Sequence, residues 1–273
     1  MIKMIVSDID GTLVDYGKPM TERMKQTIRR AIEKGIIFVV ASGRTYRHAC
    51  EIPEKAGIDC CVVSANGGRA DRGISESVIY EDTFDDETSM KVYNVLIEAG
   101  CYMTAYVGTK IYYLSERNGF GSTCIRVSEA MVESENVIGN VPERMKNEGT
   151  KHPYKYEAYT DDPALMDKLR KTFTDMGLSV SSAFPFNLEI LPAGGGKGKA
   201  VRELMRIFGV KKEEIMAMGD GSNDLTMLME AGLPVALENA VDELKAVAKV
   251  IAPSCKVDGG AWAIEKYALG ENV

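Results

Sequence analysis

Short, uninterrupted apolar runs alternate with helical periodicity at the start of the chain. Met4–Ser7, Ile36–Ala41 and Cys60–Ser64 are such runs, rich in β-branched residues. A strand buried on both faces reads this way, because neither side-chain direction meets water. Between the first two runs, Met24, Ile28 and Ile32 share one helical face, with Thr21 placed to cap its start and Gly35 to close it. Between the second and third, Ser42–Gly43–Arg44 opens a helical stretch that ends near Gly57. The pattern predicts βαβαβ, and hence a parallel sheet with helices on its faces.

The rhythm changes near residue 75. Val78–Glu81 reads as a strand, followed by a helix carrying Val92, Val95, Leu96 and Ile97 and ending at Gly100. Cys101–Val107 and Lys110–Leu114 flank Gly108–Thr109, the pattern of an antiparallel hairpin. A charged, weakly patterned stretch runs to about Gly149; Glu129, Glu133 and Glu135 read there as a solvated acidic face. Lys155–Thr160 (strand), Pro163–Met176 (helix) and Leu178–Phe184 (strand) follow. Such a mixture predicts a separate α+β domain inserted into the first.

Parallel alternation resumes after Leu188–Pro192. A glycine-rich turn, Gly194–Gly198, leads into a helix with Val201, Leu204, Met205 and Phe208. Ile215–Met218 is a strand, and Leu225, Leu228 and Met229 lie on the helix after it. Pro234–Leu237 and Val250–Ala252 read as two further strands, and a tail helix near Trp262–Tyr267 packs back on the core. The expected division is a core domain in two segments, 1–82 and 186–273, around an insertion at 83–185. No internal repeat or low-complexity segment interrupts it.

With 273 residues and 45% hydrophobic content, the chain is long enough for about two domains. Its net charge of −7 argues against electrostatic binding to nucleic acid or anionic lipid. No apolar run reaches the ~20 residues of a membrane span, and Met1–Met4 shows no signal-peptide pattern. The cysteines, Cys50, Cys60, Cys61, Cys101, Cys124 and Cys255, form no Cys-x-x-Cys pair, and the only histidines are His48 and His152. A zinc site does not fit that inventory. Buried thiols at Cys60–Cys61 fit a reducing cytoplasm, where the chain is expected as a monomer or homodimer.

Four clusters fall where predicted strands end. Asp8 and Asp10, spaced i, i+2, follow the first strand, and Ser42–Gly43–Arg44 follows the second. Lys197 sits in the glycine-rich turn, and Asp220, Asn223 and Asp224 follow Ile215–Met218. Each alone has an ordinary reading: a turn, a helix cap, a solvated lysine. Open parallel sheets bind ligands at the carboxyl ends of their strands, so one sheet can bring all four together.

The set resembles the haloacid dehalogenase superfamily, within it the Cof-type phosphatases of subclass IIB. Asp8-Ile9-Asp10-Gly11-Thr12-Leu13, Ser42, Lys197-Gly198 and Gly219-Asp220-Gly221-Ser222-Asn223-Asp224 stand in the family's order. Asn66-Gly67, Val235–Ala240 and Asp258-Gly259 are similar to it as well. Gly196 and Gly68 depart from its usual small polar residue and alanine, and neither removes a reactive group. The resemblance implies a Rossmann-like, doubly wound parallel core with an inserted α+β cap over the catalytic edge. It implies Mg²⁺-dependent hydrolysis of small phosphate esters, such as sugar phosphates or phosphorylated cofactors, through an aspartyl-phosphate.

By that resemblance Asp8 is the nucleophile and a metal ligand, and Asp10 is the acid and then base, its main-chain carbonyl on the metal. Asp220 is the further ligand, with Asn223 and Asp224 completing or orienting the shell. Ser42 and Lys197 meet the transferring phosphoryl group, while Gly43, Arg44 and Asn66 contact substrate. His48, His152 and Trp262 are expected bystanders. A phosphomutase, or a phosphoacceptor signalling or binding protein without turnover, is the alternative.

Overall fold

A computed structural model describes residues 1–75, 77–113, 152–182 and 185–272. Cys124, Glu129, Glu133 and Glu135 lie outside them. The chain forms two compact units, one of Met1–Glu81 with Gly196–Val273 and the other of Asp82–Gly195.

The first unit is built on an eight-stranded sheet. Its strands are β1 (Met4–Ser7), β2 (Ile37–Ala41), β3 (Cys61–Ser64), β4 (Arg69–Asp71), β5 (Val78–Glu81), β11 (Ile215–Gly219), β12 (Leu233–Leu237) and β13 (Val250–Ala252), in the order β13-β12-β11-β1-β2-β3-β4-β5. From β13 to β3 every neighbour is parallel, and β4 and β5 close the far edge antiparallel. Successive residues serve opposite layers, as a pleated strand requires. Ile5 packs with Phe38, Val40, Met216 and Met218 toward Met24 and Ile28 of helix α1 (Glu22–Glu33). Met4 and Val6 pack with Val39, Ile215 and Ala217 toward Val201 and Leu204 of the helix Lys197–Phe208. The unbroken apolar runs are therefore strands with a core on each side.

The capping signals act as read: Thr21 Oγ1 accepts the Met24 N–H, and Gly35 takes the left-handed conformation beyond α1. The apolar pattern hid β4. Arg69 and Asp71 point the same way and form a buried bidentate ion pair, so charged side chains fill the buried positions of this strand.

The second unit holds a five-stranded antiparallel sheet. Its strands are β6 (Tyr102–Val107), β7 (Lys110–Tyr113), β8 (Lys155–Tyr159), β9 (Ser179–Ser181) and β10 (Asn187–Leu191), ordered β7-β6-β8-β10-β9. Val92 and Leu96 of the helix Asp86–Ala99, and Leu169 and Phe173 of the helix Pro163–Asp175, pack against Met103, Tyr156, Ala158, Leu188 and Ile190. β10 corrects the expected boundary at 186. It pairs with β8 and β9, so the inserted unit continues to Gly195. Strand pairing, which local patterning cannot report, decides where this segment belongs. No helix among the described residues is long and apolar enough to cross a membrane.

Candidate active site

The connections reverse direction at the middle of the eight-stranded sheet. From β1 the chain winds outward through β2 and β3, whereas from β11 it winds the other way through β12 and β13. The carboxyl ends of β1, β2 and β11 thus open onto the crevice where doubly wound sheets bind ligands. Register sets Ser7 beside both Val40 and Met218, so the residues that follow emerge together. The Asp8 N–H binds the Met218 carbonyl at 3.0 Å and fixes the start of the first loop.

Asp8, Asp220 and Asp224 bring carboxylate oxygens within 4.8 Å of one another, and all three are buried. Lys197 opens its helix on a side chain with no exposed area, and its Nζ donates to Asp8 Oδ1 and Asp224 Oδ1, each at 2.6 Å. The other Asp224 oxygen accepts the N–H groups of Asp220 and Gly221, both at 3.0 Å. Asp224 thereby orients Lys197 and the strand-end loop, with both of its oxygens engaged.

Burial pushes the Asp8 carboxyl up to about 8; Lys197 opposes the rise, and Asp224 and Asp220 add to it. Burial and then Asp224 push Asp220 up to about 6, against the Thr12 hydrogen bond and Lys197. Burial works against the Lys197 ammonium, yet Asp224 and Asp8 more than offset it and hold its pKa above the ordinary lysine value. Three carboxylates face one ammonium. That excess of negative charge, on hard oxygen donors, fits a divalent cation.

Asp10 stands outside the trio. Arg44 Nε and Nη2 grip its two carboxylate oxygens at 2.8 and 2.6 Å. Ser42 Oγ accepts the Arg44 N–H at 3.2 Å, and its own O–H remains a donor. Ala65 and Asn66 both adopt positive φ, 50° and 54°. Such a conformation costs roughly 1–2 kcal/mol for a side-chain-bearing residue. Hydrogen bonds from Ala65 N to Arg44 O and from Asn66 N to Ser42 O hold it. Asn66 Oδ1 accepts from Asn223 Nδ2 at 3.2 Å, so the Asn223 amide nitrogen faces Asn66. Among the described residues, Asn66 Nδ2 is buried with no hydrogen-bond partner. The side chain of Asn66 also lies against Gly43, 3.1 Å from where a Cβ would stand.

Two residues given no separate role from the sequence meet the trio. Thr12 Oγ1 donates to Asp220 Oδ1 at 2.9 Å, and Asn239 Nδ2 reaches Asp220 Oδ2 at 3.3 Å. Gly11, at φ +83°, lets the loop pass close to Asp220, where a Cβ would overlap the carboxylate. Thr12 sits inside the Asp-Gly-Thr run and Asn239 in the Val235–Ala240 segment, both noted for their resemblance. Their contacts cross 208 and 19 positions, so spacing along the chain does not announce them. His48 meets Thr45, and His152 lies 3.4 Å from Asp86 in the other unit.

A family model for haloacid dehalogenase-like hydrolases matches residues 5–264. The chain belongs to this family. A Streptococcus pyogenes serotype M6 protein is 31% identical, covering 98% of this chain and 99% of its own. The 5-amino-6-(5-phospho-D-ribitylamino)uracil phosphatase YwtE of Bacillus subtilis is 27% identical, over 99% of both chains. A crystal structure from Thermotoga maritima superposes with a TM-score of 0.79 at 25% identity, covering 97% of each chain. The core sheet and the smaller inserted sheet with its helices are the family's Rossmann-like core and type IIB cap.

Proposed function

We propose that this hydrolase is a Mg²⁺-dependent phosphatase of small phosphorylated metabolites that works through an aspartyl-phosphate on Asp8. The observation that carries the reading is the buried trio of Asp8, Asp220 and Asp224 with Lys197 against Asp8. Asp8 and Asp220 would hold the ion, which neutralises part of the phosphate charge when bound and so lets a carboxylate approach it. Asp8 attacks phosphorus and the ester oxygen leaves. Asp10, aimed by Arg44, gives that oxygen its proton and then takes one from the water that opens the acyl phosphate. Lys197 and the Ser42 hydroxyl meet the phosphoryl oxygens. The unpartnered Asn66 Nδ2 and the backbone at Gly43 donate to the substrate. Asp224 and Asn223 orient these groups rather than react.

The test is phosphate release from a panel of metabolite phosphates, with Mg²⁺ or chelator. The panel includes 5-amino-6-(5-phospho-D-ribitylamino)uracil, the compound in the name of the Bacillus relative. Metal-dependent release by the wild type, abolished in a folded Asp8→Asn, is the expected result. Activity surviving that substitution removes Asp8 from the mechanism. Isomerised product without free phosphate marks a mutase, and a stable phosphoprotein without turnover marks a phosphoacceptor.

A further inference from the structure

Asn239 follows β12, whose residue Ala236 lies in register with Gly219 of β11, so it emerges beside Asp220. Its amide makes four hydrogen bonds. Oδ1 accepts the Cys255 N–H at 3.0 Å and the Ser254 hydroxyl at 3.3 Å, while Nδ2 donates to the Gly11 carbonyl at 2.9 Å and to Asp220 Oδ2 at 3.3 Å. Two of those partners are main-chain groups whose polarity cannot change. The Cys255 N–H only donates and the Gly11 carbonyl only accepts, so the amide has one allowed orientation, with its NH₂ toward Asp220.

The Asp220 carboxylate therefore has one neutral donor on each oxygen, Thr12 on Oδ1 and Asn239 on Oδ2. The Val241 N–H, two residues beyond Asn239, binds the Asp220 main-chain carbonyl at 3.0 Å. Main chain and side chain of Asp220 are thus both tied to the segment after β12, and the remaining lone pairs of its carboxylate face a fixed direction.

We infer that Asn239 is a positioning residue for the cation, acting through Asp220: its amide, held by the Cys255 N–H and the Gly11 carbonyl, fixes the carboxylate that would bind the metal. The inference rests on the metal-dependent reading above and adds a residue to it. Partners of this kind change metal affinity by about 10- to 100-fold when removed.

The experiment is Mn²⁺ binding to the substrate-free protein, followed by electron paramagnetic resonance, for wild type, Asn239→Ala, Asn239→Ser and Ser254→Ala. Serine at 239 is too short to bridge Cys255 and Asp220. Both Asn239 variants should weaken Mn²⁺ binding about tenfold or more. Ser254→Ala, which removes one bond from the same amide without freeing its NH₂, should bind Mn²⁺ as the wild type does. In phosphate release, saturating metal should restore kcat in the Asn239 variants with little change in KM for substrate.

Wild-type Mn²⁺ affinity in a folded Asn239 variant overturns the inference. So does an equal loss in Ser254→Ala, which would make loop packing the cause, or unfolding of both Asn239 variants. If the wild type releases no phosphate from any ester, the phosphatase reading fails while the Mn²⁺ titration still decides the role of Asn239.

Discussion

Lys197 and Asp8, 189 positions apart in the chain, meet at 2.6 Å around an ammonium that has no exposed surface. The same ammonium holds Asp224 at 2.6 Å, so one buried cation separates two buried anions. Lys197→Met leaves both carboxylates facing each other. Removing one partner of a buried pair costs roughly 3–5 kcal/mol. In chelator, urea denaturation near pH 8 should show a loss of that order. Near pH 5 the loss should shrink, because a carboxylate left without its partner can take up a proton. An equal loss at both pH values contradicts this account.

The metal-free protein should lose stability as pH rises through the neutral range. Asp8 and Asp220 are pushed up to about 8 and about 6 by burial and by neighbouring carboxylates. An unfolded aspartate titrates near pH ~3.9. A group whose folded pKa is raised contributes fully below its unfolded value, and that contribution is lost as pH climbs through the folded value. The loss therefore runs from about pH 4 through about 6 for Asp220 and about 8 for Asp8. A divalent cation held by these carboxylates would bind their deprotonated forms and displace their protons. The rise in Tm on adding Mg²⁺ should consequently be larger near pH 8 than near pH 5.5, with proton release measurable in weak buffer. A Tm gain independent of pH is the contrary outcome.

Much of this core was legible because its strands are buried on both faces, which turns them into unbroken apolar runs such as Phe38–Ala41. The same signal fails at Arg69–Asp71, where a buried ion pair replaces apolar side chains. It also fails at Asn187–Leu191, whose apolar residues suit either unit until its pairing with Lys155–Tyr159 is known. At the site, the meeting of Asp8, Lys197, Asp220 and Asp224 at strand ends could be read from order and type. The supporting contacts could not. Thr12 and Asn239 become visible only when the Asp220 carboxylate is seen between them.

Arg44 should matter far more to turnover than to stability. Its fork holds both oxygens of Asp10, but the two side chains keep 31% and 25% of their surface exposed. Solvent screening limits such a pair to about 1 kcal/mol or less. Losing the fork frees the Asp10 carboxylate to rotate, and misplacement of a reacting group by about 1 Å costs on the order of 100-fold in rate. Arg44→Ala should thus reduce kcat steeply while the urea midpoint barely moves. Arg44→Lys should fall between, since an ammonium offers a point charge in place of a planar pair of donors. Wild-type kcat in Arg44→Ala would falsify the positioning role.

In the inserted unit the polar face of the five-stranded sheet poses the same charge problem with different hardware. Lys155 Nζ lies 2.6 Å from Glu157 Oε1 and 2.9 Å from Glu189 Oε1, and all three side chains are buried. The hydroxyls of Tyr106, Tyr159 and Thr104 converge on Glu157 Oε2, and the Ser181 hydroxyl donates to Glu189 Oε2. Every oxygen of the two carboxylates is engaged, and among the described residues Lys155 is the cation that bridges them. Lys155→Met should therefore destabilise this unit by roughly 3–5 kcal/mol. Combining it with Glu157→Gln and Glu189→Gln should recover part of the loss. The amide oxygens still accept from the four hydroxyls, and the two carboxylate charges that Lys155 balanced are gone with it. Chemical denaturation of the single and triple variants checks the order. A triple variant no more stable than the single one would place the cost in lost packing of the lysine stem rather than in stranded charge.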